Sequence, residues 1–203
     1  DVSAKAGIDF KHYSGAKGKK YMPETVGSGV AFIDYDNDGR LDLLYVNSTD
    51  WPNEKERKPH YAKLYHNNGN GTFTDVTESS GLKMDIYGQG VTVGDYDNDG
   101  FPDVYITCIG PNHLFHNEHG KTGGPLFKEV TADAGVAGVP VQPGGIEFKW
   151  SSTAAFCDYD KDGIPDLYVC NYVHWTPKTD VFCTSRTGQK AYCAPNNYEG
   201  LAP

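Results

Sequence analysis

One acidic pattern occurs three times in this chain, and it constrains the fold more than any other feature of the sequence. The pattern reads Asp-Tyr-Asp-x-Asp-Gly-x-x-Asp, and its copies occupy residues 34–42, 95–103 and 158–166. The copies begin 61 and 63 positions apart. A period of this length is typical of repeat architectures, in which each repeat packs against its neighbours.

The residues around each acidic loop predict short strands. Apolar residues alternate with period two after the first loop, and a strand-like run precedes each copy. A second element, residues 63–82, contains a hairpin turn signal and is echoed at 113–117 and 126–136. No stretch has sustained helical periodicity. We therefore predict an all-β fold with about four strands per repeat, which corresponds to one blade of a β-propeller.

The length of the chain limits how many blades it can form. At about 61 residues per blade, 203 residues supply about three and a third blades, fewer than the four to eight that close a propeller. We expect residues 1–203 to be a partial propeller and a piece of a longer one. Its open edges would face the missing remainder of the propeller or a partner chain. Irregular insertions are expected at 51–61 and 173–203.

Each acidic loop has the composition of a metal site. Carboxylates stand at loop positions 1, 3, 5 and 9, Gly at position 6 permits a sharp turn, and the backbone carbonyl of position 7 can add an oxygen. Hard oxygen ligands suit Ca²⁺ better than Zn²⁺, and Mg²⁺ usually keeps several waters. We predict three Ca²⁺ sites, formed by Asp34, Asp36, Asp38, Arg40 and Asp42, by Asp95, Asp97, Asp99, Phe101 and Asp103, and by Asp158, Asp160, Asp162, Ile164 and Asp166.

Two other interpretations of the loops were weighed. An EF-hand requires a Glu at position 12 and flanking helices, but position 12 is Tyr45, Ile106 and Val169. Asp, Asn and Gly clusters can also simply form turns. Three copies in the same 1, 3, 5, 9 register favour metal binding over turn formation alone.

The same residues carry a family resemblance. Asp-x-Asp-x-Asp-Gly-x-x-Asp between strands resembles the calcium loops of FG-GAP/VCBS repeats, as in the integrin α-subunit propeller. The wider patterns at 23–39, 64–77 and 192–195 resemble the ASPIC/UnbV (cartilage acidic protein-like) group. This resemblance implies a secreted, calcium-binding, usually seven-bladed propeller with no agreed catalytic residues. Two departures occur in the third repeat: Ser151–Thr153 replaces a Gly-x-Gly triplet, and Lys161 replaces Asn at loop position 4, which we expect to point away from the ion.

The five cysteines suggest one or two disulfides. Cys183 and Cys193 flank a short, strand-poor segment and form the favoured pair. Cys157 and Cys170, on the strands either side of the third loop, could form a second pair or remain small buried apolar residues. The spacing contains no Cys-x-x-Cys motif for zinc or haem attachment.

Other candidate sites are weaker. His113, His116 and His119 resemble a metal-binding series, but on a strand a spacing of three alternates faces, so structural roles are favoured. Trp51, Trp150 and Trp175 could form a carbohydrate platform, although packing in the core or rim is favoured. The Gly-x-Gly triplets precede strands rather than helices, which argues against a nucleotide site.

The net charge of the chain limits the kinds of partner that it can bind. A formal charge of −9 argues against nucleic-acid binding, and no apolar stretch is long enough to span a membrane. We expect a secreted protein, extracellular or periplasmic, that acts as a non-catalytic binding or assembly module for a protein or glycan partner. The alternatives are a propeller-type polysaccharide lyase or hydrolase, or an accessory subunit of a secreted enzyme complex.

Overall fold

Two four-stranded antiparallel sheets form the larger part of the fold. The computed structural model describes residues 1–119, 125–138 and 149–200. The first sheet contains β1 (Val30–Ile33), β2 (Asp42–Tyr45), β3 (Lys63–Asn67) and β4 (Phe73–Asp75), in that order. The second sheet has the same order, with β5 (Gly88–Gly94), β6 (Asp103–Cys108), β7 (His113–Asn117) and β8 (Phe127–Glu129). Each sheet is one propeller blade.

A third blade is represented by its first two strands. These are β9 (Ser151–Cys157) and β10 (Asp166–Asn171), which pair antiparallel. A small hairpin follows, formed by β11 (Cys183–Thr184) and β12 (Lys190–Ala191). This hairpin lies in the insertion expected at 173–203, of which residues 201–203 lie outside the described residues. The all-β, propeller-blade prediction is confirmed.

In the residues that the structure describes, helix is confined to single turns, as the sequence predicts. The helices α1 (Thr77–Ser80) and α2 (Thr131–Ala134) each follow the last strand of a blade, and 3₁₀ turns occur at Met22–Thr25 and Pro195–Asn197. The Oδ1 atom of Asp75 accepts hydrogen bonds from the backbone N (3.0 Å) and Oγ1 (2.6 Å) of Thr77, which begins α1. Gly81 ends α1 in the left-handed region, with φ 85°. The Asp-Val-Thr sequence therefore turns the chain from one blade towards the next.

The inner strands of neighbouring blades approach closely. The backbone N of Gly29 donates to the carbonyl oxygen of Gln89 at 2.6 Å, which joins the first blade to the second. A Cβ atom at Gly90 would lie 2.6 Å from the carbonyl oxygen of Ser152, in the third blade. Between the first two blades, a core of buried aliphatic and aromatic residues includes Leu44 and Ile106. The Gly-x-Gly triplets thus serve blade packing.

The three tryptophans lie in a second core. Trp51, Trp150 and Trp175 are all buried and pack with Tyr21 and Tyr87. The ring of Trp51 stacks on Tyr87 at 4.1 Å between centroids and contacts Trp175 at 5.0 Å. Buried rings cannot offer a flat platform to a sugar, so these residues have the packing role that the sequence favoured.

One disulfide is formed, between Cys183 and Cys193. Cys157 and Cys170 are free thiols, so the second pairing considered from the sequence is wrong. The strand register explains the difference. Cys157 is opposite Asp166 at one end of the β9–β10 hairpin, whereas Cys170 is opposite Thr153 towards the other end.

No helix in the described part of the chain is long and apolar enough to cross a membrane.

Candidate metal centre

Each acidic loop joins the first and second strands of a blade. The register pairs Ile33 with Asp42, Gly94 with Asp103 and Cys157 with Asp166. Loop position 9 is therefore the first residue of the second strand, and it lies opposite the residue that precedes position 1. Strands, rather than EF-hand helices, hold both ends of the loop together.

The carboxylate at position 1 organises the loop in the same way in all three copies. In the first loop, Oδ1 and Oδ2 of Asp34 each accept a hydrogen bond, from the backbone N of Asp38 and of Gly39, both at 3.0 Å. Asp95 accepts the corresponding bonds at 3.0 and 2.9 Å, and Asp158 accepts them at 3.1 and 3.0 Å. The three loops therefore share one internal structure.

Position 5 and its neighbours complete this structure. The carboxylate accepts a hydrogen bond from the backbone N of position 7 at 2.8–2.9 Å in every loop. The backbone has positive φ at position 4 and at the Gly of position 6, where φ is 83–90°. Since left-handed backbone is readily adopted by Gly, Gly at position 6 allows the turn without strain.

The carboxylates converge in the first two loops. One oxygen from each of positions 1, 3 and 5 lies within 4.8 Å of the others, both for Asp34, Asp36 and Asp38 and for Asp95, Asp97 and Asp99. Two ligands of one Ca²⁺ ion, each about 2.3–2.6 Å away, can be at most about 5 Å apart. This all-oxygen set therefore fits Ca²⁺.

Position 9 anchors the loop to the third strand. The buried Asp42 accepts hydrogen bonds from the backbone N of Asn67 (2.7 Å) and of Tyr35 (3.3 Å). Asp103 accepts equivalent bonds from Asn117 (2.8 Å) and Tyr96 (3.1 Å). Burial raises the pKa of Asp42, and it raises that of Asp103 to about 6 although these hydrogen bonds oppose the shift.

Asp166 is the position-9 residue of the third loop. It accepts the bond from the loop, from Tyr159 N at 3.1 Å, and it is less buried than Asp42 and Asp103. In all three repeats, the position-9 carboxylate therefore accepts a hydrogen bond from the backbone N of loop position 2.

Neighbouring loops are joined by the residue at position 4. The amide Nδ2 of Asn37 donates to the carbonyl oxygen of Gly100 at 2.8 Å, and that of Asn98 donates to Gly163 at 2.7 Å. Each Asn therefore binds the position-6 carbonyl of the following loop. This link was not expected from the sequence, because position 4 is not a ligand position. Lys161 holds the same position, with φ 65°, in the third loop.

Histidines also face the first two loops, although the sequence favoured structural roles for His116 and His119 and did not single out His66 as a site residue. The Nδ1 atom of His66 lies 3.4 Å from carboxylate oxygens of both Asp36 and Asp42. His116 stands equivalently near Asp97 and Asp103, and His119 contacts Asp99. The sequence signal for His66 and His116 was the recurring Leu-aromatic-His-Asn pattern. It lies on β3 and β7, the strands that bring these histidines beside the first two loops.

A second candidate surface is a cleft of about 820 Å³ beside the insertion at 51–61. Its lining combines four lysines with several acids and an aromatic pair, and comprises Tyr13, Lys17, Lys19, Asp50, Asn53, Glu54, Lys55, Glu56, Lys58 and His60. The rings of Tyr13 and His60 stack at 3.7 Å between centroids. Most of the basic groups are exposed, in a chain whose formal charge is −9.

Propeller blades with an acidic loop between their first two strands are typical of one class of repeat propeller. Comparison with known sequences supports the assignment of these blades to that class. The sequence model of the FG-GAP-like repeat family matches residues 34–106. That range begins at position 1 of the first loop and ends in β6, so it includes two of the three loops.

The chain is also similar to cartilage acidic protein 1. It is 28% identical to the Mus musculus protein over 178 residues, 86% of this chain and 22% of the relative. The Xenopus tropicalis protein is 27% identical over 176 residues, and the Homo sapiens protein 26% over 178 residues. These matches cover 84% and 86% of this chain. The chain spans 22–23% of the length of these relatives.

Proposed function

We propose that this chain is a Ca²⁺-binding repeat module whose ions fix the blade loops, so that its surfaces can bind a protein or glycan partner. The observation that carries the proposal is the shared internal structure of the three loops. In each of them, the backbone positions the carboxylates of loop positions 1 and 5 through the same hydrogen bonds.

Electrostatic repulsion is the physical reason for an ion. Two carboxylates about 5 Å apart repel by about 3 kcal/mol at an effective dielectric constant near 20. The loops gather four acidic residues each, twelve of the 27 in the chain. A divalent cation bound among them would convert this repulsion into attraction and would stiffen the turn between the first two strands of each blade.

An oxidising, calcium-rich compartment suits these features. The Cys183–Cys193 disulfide is typical of secreted proteins, and extracellular Ca²⁺ modules work in the millimolar range. The similarity to cartilage acidic protein 1 supports the same assignment. We therefore place the chain outside the cell or in the periplasm.

The cleft beside the insertion at 51–61 is the proposed contact surface for an acidic glycan or protein segment. The buried carboxylate of the cleft, Asp50, accepts hydrogen bonds from Lys17, Tyr13 and the backbone N of Lys58. A carboxylate engaged by three donors is not free to act as a catalytic acid or base, so Asp50 has a structural role in this cleft. The exposed Lys55 remains available to an anionic partner, whereas Lys19 lies 4.0 Å from a carboxylate oxygen of Glu54.

The flanking blades offer a second surface, for the remainder of a propeller or for a partner chain. In the first blade, Val30 and Phe32 on β1 are 56% and 66% exposed, and in the third, Tyr168 on β10 is 55% exposed. In the second blade, β5, which corresponds to β1, is buried or half-buried along its whole length, and β6, which corresponds to β10, is buried throughout. Further blades packed against β1 and β10 would give them the environment of β5 and β6.

Calorimetric titration of the chelator-treated full chain with CaCl₂ tests the calcium proposal. We expect three equivalents to bind, and two after substitution of one position-3 acid, in Asp36→Asn, Asp97→Asn or Asp160→Asn. The matched control is Asp133→Asn, an exposed acid outside the loops, which should retain three. No heat of binding, or an equal loss in the control, would contradict the proposal.

A further inference from the structure

We propose that the second loop is a mixed nitrogen and oxygen site that binds a transition-metal ion of the Zn²⁺ class in preference to Ca²⁺. Its ligands are drawn from His116 and His119 together with Asp97, Asp99 and Asp103. The inference rests on the proposed function in one respect, that the acidic loops are metal sites, and it assigns a different metal to one of them.

The position of His116 carries the first step. Its Nδ1 atom lies 3.4 Å from Oδ2 of Asp97 and 3.2 Å from Oδ1 of Asp103. Ligands bound tetrahedrally at about 2.1 Å from one Zn²⁺ ion are about 3.4 Å apart. Both distances from His116 match this spacing, and one ligand atom from each of the three residues lies within 4.8 Å of the others.

The second step is that buried nitrogen atoms are left without hydrogen bonds. Nδ1 of His116 and Nδ1 of His119 are both buried and have no hydrogen-bond partner within the described part of the chain. Buried polar groups are usually paired, since an unpaired one costs about 1–3 kcal/mol. For His116, the unpaired atom is the one directed at the two carboxylates, where a metal ion would satisfy it.

His119 brings a second imidazole to a neighbouring group of ligand atoms, which shares His116 with the first. Its side chain is only 5% exposed, and its Nε2 atom contacts Oδ2 of Asp99. One ligand atom from each of Asp99, His116 and His119 falls within 4.8 Å of the others. The ring of His119 stacks on Phe101 at 3.7 Å between centroids, which holds it over the loop.

The first loop has the same backbone structure but lacks an equivalent of His119. Gly69 occupies the position of His119: both backbone N atoms donate at 3.0 Å to the side-chain oxygen of the Asn two residues earlier, and both have positive φ. Arg40, which replaces Phe101, pairs instead with Asp38, the position-5 acid. A guanidinium has no lone pair for a metal, whereas an imidazole does. The first loop therefore has one candidate nitrogen ligand, and the second has two.

Nitrogen ligands determine the choice of metal. Ca²⁺ takes oxygen ligands, whereas imidazole nitrogen favours Zn²⁺, Co²⁺, Ni²⁺ and Cu²⁺. Two imidazoles with two or three carboxylates form a common type of Zn²⁺ environment, with His and Asp ligands at about 2.0–2.2 Å.

Visible absorption of bound Co²⁺ tests this inference, because its bands report nitrogen ligation. The full chain is titrated with CoCl₂ in excess Ca²⁺, and the bound Co²⁺ is then displaced with ZnCl₂. We expect one equivalent in the native chain and at least about tenfold weaker binding in Phe101→Arg/His119→Gly, which installs the residues of the first loop. His66→Asn is the matched control and should retain the equivalent.

The reverse exchange, Arg40→Phe/Gly69→His, removes the ion pair and adds the second imidazole to the first loop. It should gain a second equivalent of Co²⁺. This gain cannot be produced by misfolding, so it protects the test against a variant that simply loses structure.

Parallel Ca²⁺ titrations separate this inference from the proposed function. Three Ca²⁺ equivalents with no Co²⁺ retained in excess Ca²⁺ would overturn this inference and leave the calcium proposal standing. One Co²⁺ equivalent lost on Phe101→Arg/His119→Gly, with no heat from Ca²⁺, would do the opposite. Equal losses of Co²⁺ in that variant and in His66→Asn would also overturn the inference.

Discussion

Asp50 is a buried carboxylate held by three donors from two separate parts of the chain. Lys17 Nζ and the backbone N of Lys58 each donate to it at 2.7 Å, and the hydroxyl of Tyr13 also donates to it. Burial by itself would raise the pKa of Asp50, but these hydrogen bonds outweigh it and lower the pKa to about 2. The carboxylate thus fastens the N-terminal segment and the insertion to the aromatic core around Trp51.

This lowered pKa predicts a pH-dependent contribution to stability. The unfolded-state pKa of Asp is about 3.9, so the contribution is complete above that value and is lost as the pH falls towards 2. Asp50→Asn should lower the free energy of unfolding by about 2–3 kcal/mol at pH 7. The measurement is urea unfolding of both proteins from pH 7 to pH 3.

The difference between the two proteins should narrow as the pH decreases. Asp133→Asn, at an exposed acid, should change stability by less than about 0.5 kcal/mol. A pH-independent difference for Asp50→Asn would contradict the assignment of the low pKa to this residue.

At the level of single residues, the sequence predicted the acids of the loops, but it favoured structural roles for the neighbouring His116 and His119. Strand alternation correctly separates His113, which contacts Glu129 at 2.7 Å, from His116. It does not apply to His119, because β7 ends at Asn117 and His119 has φ 50°. Asp50 could not be found either, since its partners are set by tertiary structure rather than by spacing.

At the level of elements, the loops are coupled to one another through Asn37 and Asn98. The amide of Asn98 fixes the Gly163 carbonyl, which directly precedes the position-7 residue of the third loop. Calcium bound by one loop would therefore order the turn that presents an amide to the next loop.

Asn98→Gly removes this link while keeping a residue that accepts positive φ. We expect it to cost about 1 kcal/mol more than the matched change Lys161→Gly, which alters the backbone equally. It should also weaken Ca²⁺ binding at the third loop. The comparison uses thermal unfolding and calorimetry of both variants in Ca²⁺, and equal effects would contradict the coupling.

The close approach of the inner strands gives a second prediction for the elements. Gly90→Ala would place a methyl group 2.6 Å from the carbonyl oxygen of Ser152 and 2.8 Å from Oγ1 of Thr107. The blades would have to separate, at a cost of about 1–3 kcal/mol. Gly27→Ala, where no atom lies within 4 Å, should be nearly neutral in the same unfolding measurements.

The strands and their order were largely predictable, because period-two alternation and the repeat define them locally. The register of the third blade was not, and it excludes the Cys157–Cys170 bond that the sequence had left open. Cys157 directly precedes the loop, whereas Cys170 follows the last loop residue by four positions, so the two lie towards opposite ends of the hairpin.

At the scale of the whole molecule, the buried residues form two separate cores. One lies between the first two blades, and the other gathers Trp51, Trp150 and Trp175 with Tyr21 and Tyr87. In the sequence, the tryptophans lie near loops and insertions, outside the repeated pattern. Their spacing therefore does not predict that they pack in one core. Repetition predicted the blades, whereas the parts outside the repeat determined this core.

The exposed faces of the outer blades predict association. Val30, Phe32 and Tyr168 should be covered by further blades or by a partner chain. We therefore expect the 203-residue chain by itself to self-associate in light scattering. A monomeric, soluble and cooperatively folded chain would contradict the proposed open edges.

The central claim is that the acidic loops hold Ca²⁺, and anomalous diffraction from crystals grown in CaCl₂ tests it most directly. We expect a peak in each loop, about 2.3–2.6 Å from the carboxylates and the position-7 carbonyl. After a Zn²⁺ soak, the peak in the second loop should show zinc absorption. Loops without anomalous density at saturating Ca²⁺ would contradict the account.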